Sequence, residues 1–354
     1  MIARLSVVLP FAFDVPVTTS LKPIEFQRNG RTVHLHPPQQ SELRAQGGAS
    51  SVMSLSMIAP ASSPVTSPYV RINGTDTIAA DLVVVDFVSD SFDRSAGQSL
   101  EREQLLAEGF AIVNQWLTAY RNFLGAVQVA PVSQTTSSSR LDYLNNDGSA
   151  LLQQPGLVRG AVAVYMRVQG VAGLAEEAWK EIANLGPEYR PFRWDELLVD
   201  AAELLPAVGP SIFLAYAALE IRIVDAANVL AVEQKLHAGI WKWFTQERGL
   251  PMRPDTEELA KTVFTLLGGK SLTQEKGLWD TFTQLRKARN SFTHGGVARD
   301  TNRKEITPGK AAELVAGARP ILDWIEALLP PQNRRHKFTA TTTLEVVSAP
   351  VKVQ

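Results

Sequence analysis

Late in the chain the run Leu285-Arg-Lys-Ala-Arg-Asn-Ser-Phe-Thr-His-Gly-Gly296 places Arg289, Asn290 and His294 close together. Histidine titrates near neutrality and can both take and give a proton, while arginine is a permanent cation whose planar fork of donors matches a phosphate. The two types together supply metal-free chemistry at a phosphodiester: proton transfer, anchoring of the phosphate, and stabilisation of the charge that grows on it. The spacing sets a geometric condition. Five helical positions turn through about 140°, so the two side chains do not project in parallel unless the helix ends between them, and the pair is then suited to act across a cleft between two copies. The apolar stripe Leu278, Phe282, Leu285 and Phe292 puts Arg289 at its edge, where an arginine needs a partner. The same residues also permit a purely structural use, with the arginine paired to a carboxylate and the histidine capping carbonyls beside Gly295.

The neighbourhood is basic. Between Thr281 and Lys304 stand Arg286, Lys287, Arg289, Arg299, Arg303 and Lys304, against Asp300 alone. Such a patch can neutralise several phosphates and make nucleic-acid binding salt-dependent, although a solvated helix face has the same composition. Glu220, in Ala217-Ala-Leu-Glu-Ile-Arg222, lies on a mostly apolar stretch and could orient Arg289, or pair with Arg222 or another structural partner.

These residues must be positioned by helices. After the Pro206–Pro210 break, apolar periodicity predicts helices from Ser211 to about Leu236, Thr256 to Leu267, Thr273 to Thr293, and Pro308 to Leu329. Gly268-Gly269 and Gly295-Gly296 suit left-handed C-caps, Pro308 suits a first turn, and Pro330-Pro331 stops the last helix. With connections this short, an antiparallel four-helix bundle follows.

In its composition and place, Arg289-Asn290-Ser291-Phe292-Thr293-His294 resembles the R-x4-6-H motif of the HEPN superfamily, in its R-N-x3-H form, at the end of the third of four helices. The resemblance covers roughly residues 206–330. It implies a metal-independent endoribonuclease with no cofactor, in which motifs from two protomers line one cleft of a homodimer. RNA is then cleaved through its own 2′-hydroxyl, with His294 doing acid/base work, Arg289 positioning the phosphate, and Asn290 orienting the phosphate or the histidine or holding the backbone. The resemblance also implies a toxin or antiviral effector kept in check by an antitoxin or trigger protein. A module that has lost catalysis and serves as an RNA-binding or dimerisation platform is the rival, with recognition left to the N-terminal part.

Upstream the character differs. Residues 1–95 carry short β-branched runs (Leu5–Leu9, Arg31–Leu35, Val52–Ile58, Leu82–Val88) separated by Asn29-Gly30, Gly47-Gly48, a proline-rich stretch and Asn73-Gly74, which predicts a β-sandwich or barrel. Residues 96–205 form a mixed, mostly helical middle region: a long amphipathic helix from about Ser99 to Leu124, a polar surface loop or inserted excursion over 131–155, a strand or short helix at Leu157–Val168, and helices at Ala175–Leu185 and Asp195–Leu205. Residues 331–354 are a tail or a strand returning to the N-terminal sheet. The fold class expected is α+β.

Composition bounds the rest. At 354 residues the chain has room for two or three domains, and with 35 basic against 36 acidic residues it is no globally basic coat protein. The absence of cysteine excludes disulfides, thiolate metal sites and cysteine nucleophiles. Pro10 and Asp14 break the apolar run Leu5–Phe13, which reads as a strand and not a targeting segment, and no apolar stretch reaches about 18 residues. A cytoplasmic protein without membrane contact is expected. Val33-His34-Leu35-His36 sets two histidines on one strand face, but no third ligand accompanies them, and no metal site is expected.

Overall fold

The computed structural model describes residues 1–16, 21–41, 66–72, 74–90, 92, 100–126, 129–152, 173–186, 189–246, 254–337 and 344–350. The chain divides into two compact units, Met1–Arg190 with Phe338–Gln354, and Pro191–Lys337. The class is α+β.

The first unit is built on β1 (Ile2–Pro16), where Ala3, Leu5, Val7 and Leu9 are buried and the residues between them are partly exposed. That period of two marks a strand with one face on a core. Antiparallel to it lie β5 (Thr75–Val88) and β6 (Ser138–Leu144). Beyond β5 come β3 (Arg31–Leu35) and β2 (Ile24–Arg28), joined through Asn29-Gly30 with both residues at positive φ, as a two-residue hairpin demands. β7 (Ala150–Leu152) flanks β6, giving the order β2-β3-β5-β1-β6-β7. β4 (Thr66–Ile72) pairs with the start of β5, and the C-terminal tail contributes β8 (Leu344–Pro350) antiparallel to β4. Pro10 lies where the β1–β5 register shifts between Val8 and Phe13, a position that tolerates a residue without an N–H.

A long helix, α1 (Leu100–Leu124), packs into the core of this sheet through Leu105, Val113, Trp116, Leu117 and Tyr120. Gly109 allows the close approach: a Cβ there would fall 2.2 Å from Leu5 Cδ2. The expected sandwich or barrel is therefore replaced by one hydrogen-bonded array of strands, whose β2 and β7 are not paired with each other among the described residues. The helix supplies the second layer that a second sheet would have provided. The expected polar loop over 131–155 is corrected too, since β6 and β7 lie inside it. Its serines conceal an alternation in which Leu141 and Tyr143 reach the core. α2 (Glu176–Ala183) adds Trp179 and Ile182 to the same core. The segments Val52–Ile58 and Leu157–Val168 lie outside the described residues.

The second unit is helical: α3 (Arg193–Glu203), α4 (Val208–Glu233), α5 (Ala238–Gln246), a helical run over 256–268 that passes through a π turn at Leu259–Val263 (α6), α7 (Lys276–Gly295) and α8 (Pro308–Leu328). α4 runs through the core, burying Ala215, Ala218, Ala226 and Ala227, small residues that let its neighbours come close. Besides the expected four, this unit contains α3, the helix expected at Asp195–Leu205 in the middle region, and α5, which was not expected. α7 starts at Lys276 and not Thr273 because Leu272–Gln274 forms a 3-10 turn held by a capping box on Ser271. Its C-cap is Gly296 at φ 70°, whose N–H bonds to Phe292 O at 2.8 Å. Among the described residues no helix is long and apolar enough to cross a membrane.

Candidate functional site

α7 delivers the Arg-Asn-x3-His run in one uninterrupted helix, and its orientation against α4 is fixed by Phe292. The ring lies so close to Gly209 that a Cβ there would meet it at 2.2 Å. This contact turns Arg289 toward a stripe on α4 made by Phe213, Tyr216 and Glu220, spaced three and four residues apart and so stacked on one face.

Arg289 is held on several sides. Its Cζ lies 5.8 Å from the Phe213 ring centre and 5.4 Å from that of Tyr216, within cation–π reach. Nη2 stands 3.6 Å from Glu220 Oε2, and Nη1 donates to Asn290 Oδ1 at 3.0 Å. Nε is buried without a hydrogen-bond partner among the described residues, while the side chain as a whole keeps 29% of its surface exposed. Glu220 Oε1 accepts from the Thr256 hydroxyl at 3.1 Å, which anchors the carboxylate from the first turn of α6. Burial pushes the Tyr216 phenol up from its ordinary pKa, its bond with Thr256 pulls the other way, and the nearby Glu220 charge adds to the rise. Tyr216 thus remains a neutral hydroxyl beside two cations, Arg286 and Arg289.

His294 is placed differently. It is exposed in the last turn of α7, and its side chain makes no hydrogen bond or ion pair among the described residues. Because the helix does not end between positions 289 and 294, the two side chains leave it about 140° apart. The structure brings Arg289, Asn290 and Glu220 together; it does not bring His294 to them. Between the two, the Thr293 hydroxyl bonds back to Arg289 O at 2.8 Å and the Ser291 hydroxyl to Val297 O at 2.8 Å, which fixes the final turn and the chain leaving it.

The basic patch is divided by use. Arg286 is committed to Asp255 at 2.8 Å and to Glu257, at the start of α6. Lys287, Arg299, Arg303 and Lys304 are exposed, the last three around a turn in which Asp300 Oδ1 accepts from the backbone N–H groups of Asn302 and Lys304 at 2.8 Å each. Arg299 donates to Arg303 O at 3.1 Å. Arg222, offered by sequence as a partner for Glu220, is instead bound to Glu326 of α8, with Nε to Oε1 at 2.6 Å. The aromatic pair Phe213 and Tyr216 and the anchor Thr256 were not singled out as site residues in the sequence. The signal available was the spacing of Phe213, Tyr216 and Glu220 on one helical face.

In the first unit His34 of β3 and His36, the residue just after it, are each taken by a carboxylate. His36 Nε2 lies 2.9 Å from Asp86 Oδ2, and His34 lies 3.6 Å from Glu25. Among the described residues no group of three or more histidines and carboxylates is arranged to hold a metal ion. No family model matches this chain, and no curated protein and no solved structure is significantly similar to it.

Proposed function

We propose that the protein is a metal-independent endoribonuclease of HEPN type, acting as a homodimer, with His294 as the proton-transfer group and Arg289 as the phosphate anchor. The observation that carries this reading is the contrast within one helix. Arg289 is oriented in advance by Glu220, Asn290 and two aromatic rings, while His294 is exposed, where a scissile phosphate can reach it. A pre-oriented guanidinium loses little freedom on meeting a phosphate, and it stabilises the charge that develops there. Asn290 holds the inner Nη1 of that guanidinium, so its role in this reading is to fix the anchor. Lys287, Arg299, Arg303 and Lys304 extend the positive surface along the RNA backbone. A defence or toxin role, with a partner protein that restrains the enzyme, follows from the resemblance of the motif.

The divergence of Arg289 and His294 within one chain favours a second reading, an RNA-binding or dimerisation platform without catalysis. Incubation of a mixed RNA pool in excess EDTA with the wild-type chain and with His294→Ala separates the two. Cleavage leaving cyclic-phosphate ends, lost in the variant, is the expected result. Salt-dependent RNA binding without cleavage by either chain supports the platform, and neither binding nor cleavage removes the ribonuclease and the RNA-binding platform and leaves only dimerisation.

A further inference from the structure

The first unit contains a cavity of about 130 Å³ between the β2–β3 hairpin, α1 and the segment that follows α2. It is independent of the helical unit and of the ribonuclease reading. Its walls are largely apolar, with Phe26 from the edge strand, Trp116 and Ala119 from α1, and Ile182 from α2. The cavity is open on one side, and for scale an engineered apolar cavity of about 150 Å³ takes up benzene. Size and shape therefore fit one or two fused rings.

One polar and one aromatic side chain make the cavity selective. Gln115 on α1 sits in the wall, and two of its amide contacts lie at the outer limit of hydrogen bonding: Oε1 accepts from Arg28 at 3.5 Å and Nε2 donates to Tyr189 O at 3.5 Å. A ligand edge with an adjacent donor and acceptor can replace both with shorter bonds. Trp116 adds an aromatic surface to the wall, against which a planar ring can pack. Walls this largely apolar disfavour a charged ligand, whose lost hydration they do not replace. We propose that this cavity binds an uncharged one- or two-ring aromatic heterocycle bearing an amide-type edge, which bonds to Gln115 while the ring packs on Trp116.

The test titrates the full chain with 2-pyridone and adenine, with benzene as a probe that lacks a hydrogen-bonding edge, and follows tryptophan emission and the melting temperature. Saturable binding of at least one heterocycle is expected, weakened about tenfold or more in Gln115→Leu and abolished in Ala119→Leu, whose larger side chain fills the hole. The proposal is overturned if neither heterocycle binds up to its solubility, if benzene binds as tightly as both, or if the two variants bind like wild type. Should Ala119→Leu fail to fold, Gln115→Leu decides alone, because loss of the polar edge must lower affinity for the heterocycles and leave benzene unaffected.

Discussion

His294 and Arg289 lie five positions apart on one helix, yet their surroundings give them opposite sensitivities. His294 is exposed and without a side-chain partner among the described residues, so His294→Ala should leave the melting temperature within the small range of ordinary surface changes while lowering cleavage by about 100-fold or more. Arg289→Lys keeps the charge but cannot reproduce the planar contact with Phe213 and Tyr216 together with the bond to Asn290. Its cleavage should fall sharply, and its melting temperature should fall with it. Paired melting curves and cleavage rates for the two variants check this. Equal loss of stability in both would mean that the histidine is structural. The motif itself was legible in the sequence, because residue types and spacing along one helix survive in a linear reading. The aromatic seat of Arg289 was not, because it depends on how α7 is rotated against α4, and that rotation is set by the Phe292–Gly209 contact over eighty residues apart in the chain.

Among the elements, strands and helices concealed different things. The strand at Leu5–Leu9 and the Asn29-Gly30 turn were legible in the sequence, whereas β6 was masked by its serines and recognisable only through the pairing that places Arg140 and Asp142 on one face and Leu141 and Tyr143 on the other. Across the partly exposed face of the sheet, Glu25, His34, Asp86, Arg4 and Asp142 stand in register on five successive strands. Burial alone would raise the Asp86 pKa, but hydrogen bonds from Arg4, at 2.7 Å to each oxygen, and from His36 outweigh it and hold the carboxyl below its ordinary 3.8. A depressed folded pKa stabilises the fold fully above the unfolded value, and that contribution is lost as pH falls below about 3.8 through the folded value. Asp86→Asn should therefore cost about 1–2 kcal/mol at neutral pH, discounted for the partial exposure of Arg4, and should flatten the acid limb of the stability curve. Denaturant melts between neutrality and pH 3 read both effects. The helical unit has a more deeply buried pair in Arg222 and Glu326, whose side chains are 3% and 0% exposed, with the Arg335 N–H also donating to Glu326 at 2.6 Å. Arg222→Met strands that carboxylate and should cost about 3–5 kcal/mol, while the double variant Arg222→Met/Glu326→Leu should recover much of it. A double variant no more stable than the single one would show that the pair contributes more than mutual neutralisation.

For the whole molecule, chain length and the change from β-branched runs to helical periodicity were enough to separate a sheet-bearing part from a helical part. The segments between them were not assignable, because membership depends on which core an apolar face meets: α1 and α2 serve the sheet, α3 serves the bundle, and nothing within each segment says so. The number of copies is likewise a property that one chain does not carry, and it is where the ribonuclease reading is most exposed to test. Arg289 and His294 diverge on a helix that does not break between them, so a working site requires the arginine of one copy to face the histidine of another. A two-fold dimer contains two such composite sites. Chains carrying Arg289→Ala and chains carrying His294→Ala should each be inactive as homodimers. When the two are mixed, unfolded and refolded together, half of the dimers should be mixed, and each mixed dimer has one site with both residues intact and one with neither. Cleavage should return to about one quarter of the wild-type rate. Recovery near that level requires sharing between copies. No recovery, with mixed dimers shown to form by differently sized tags, would place both residues in the same site of one chain or in no site at all. Because the divergence of the two side chains excludes the first arrangement without a local break of α7, that outcome would shift the assignment to the platform reading.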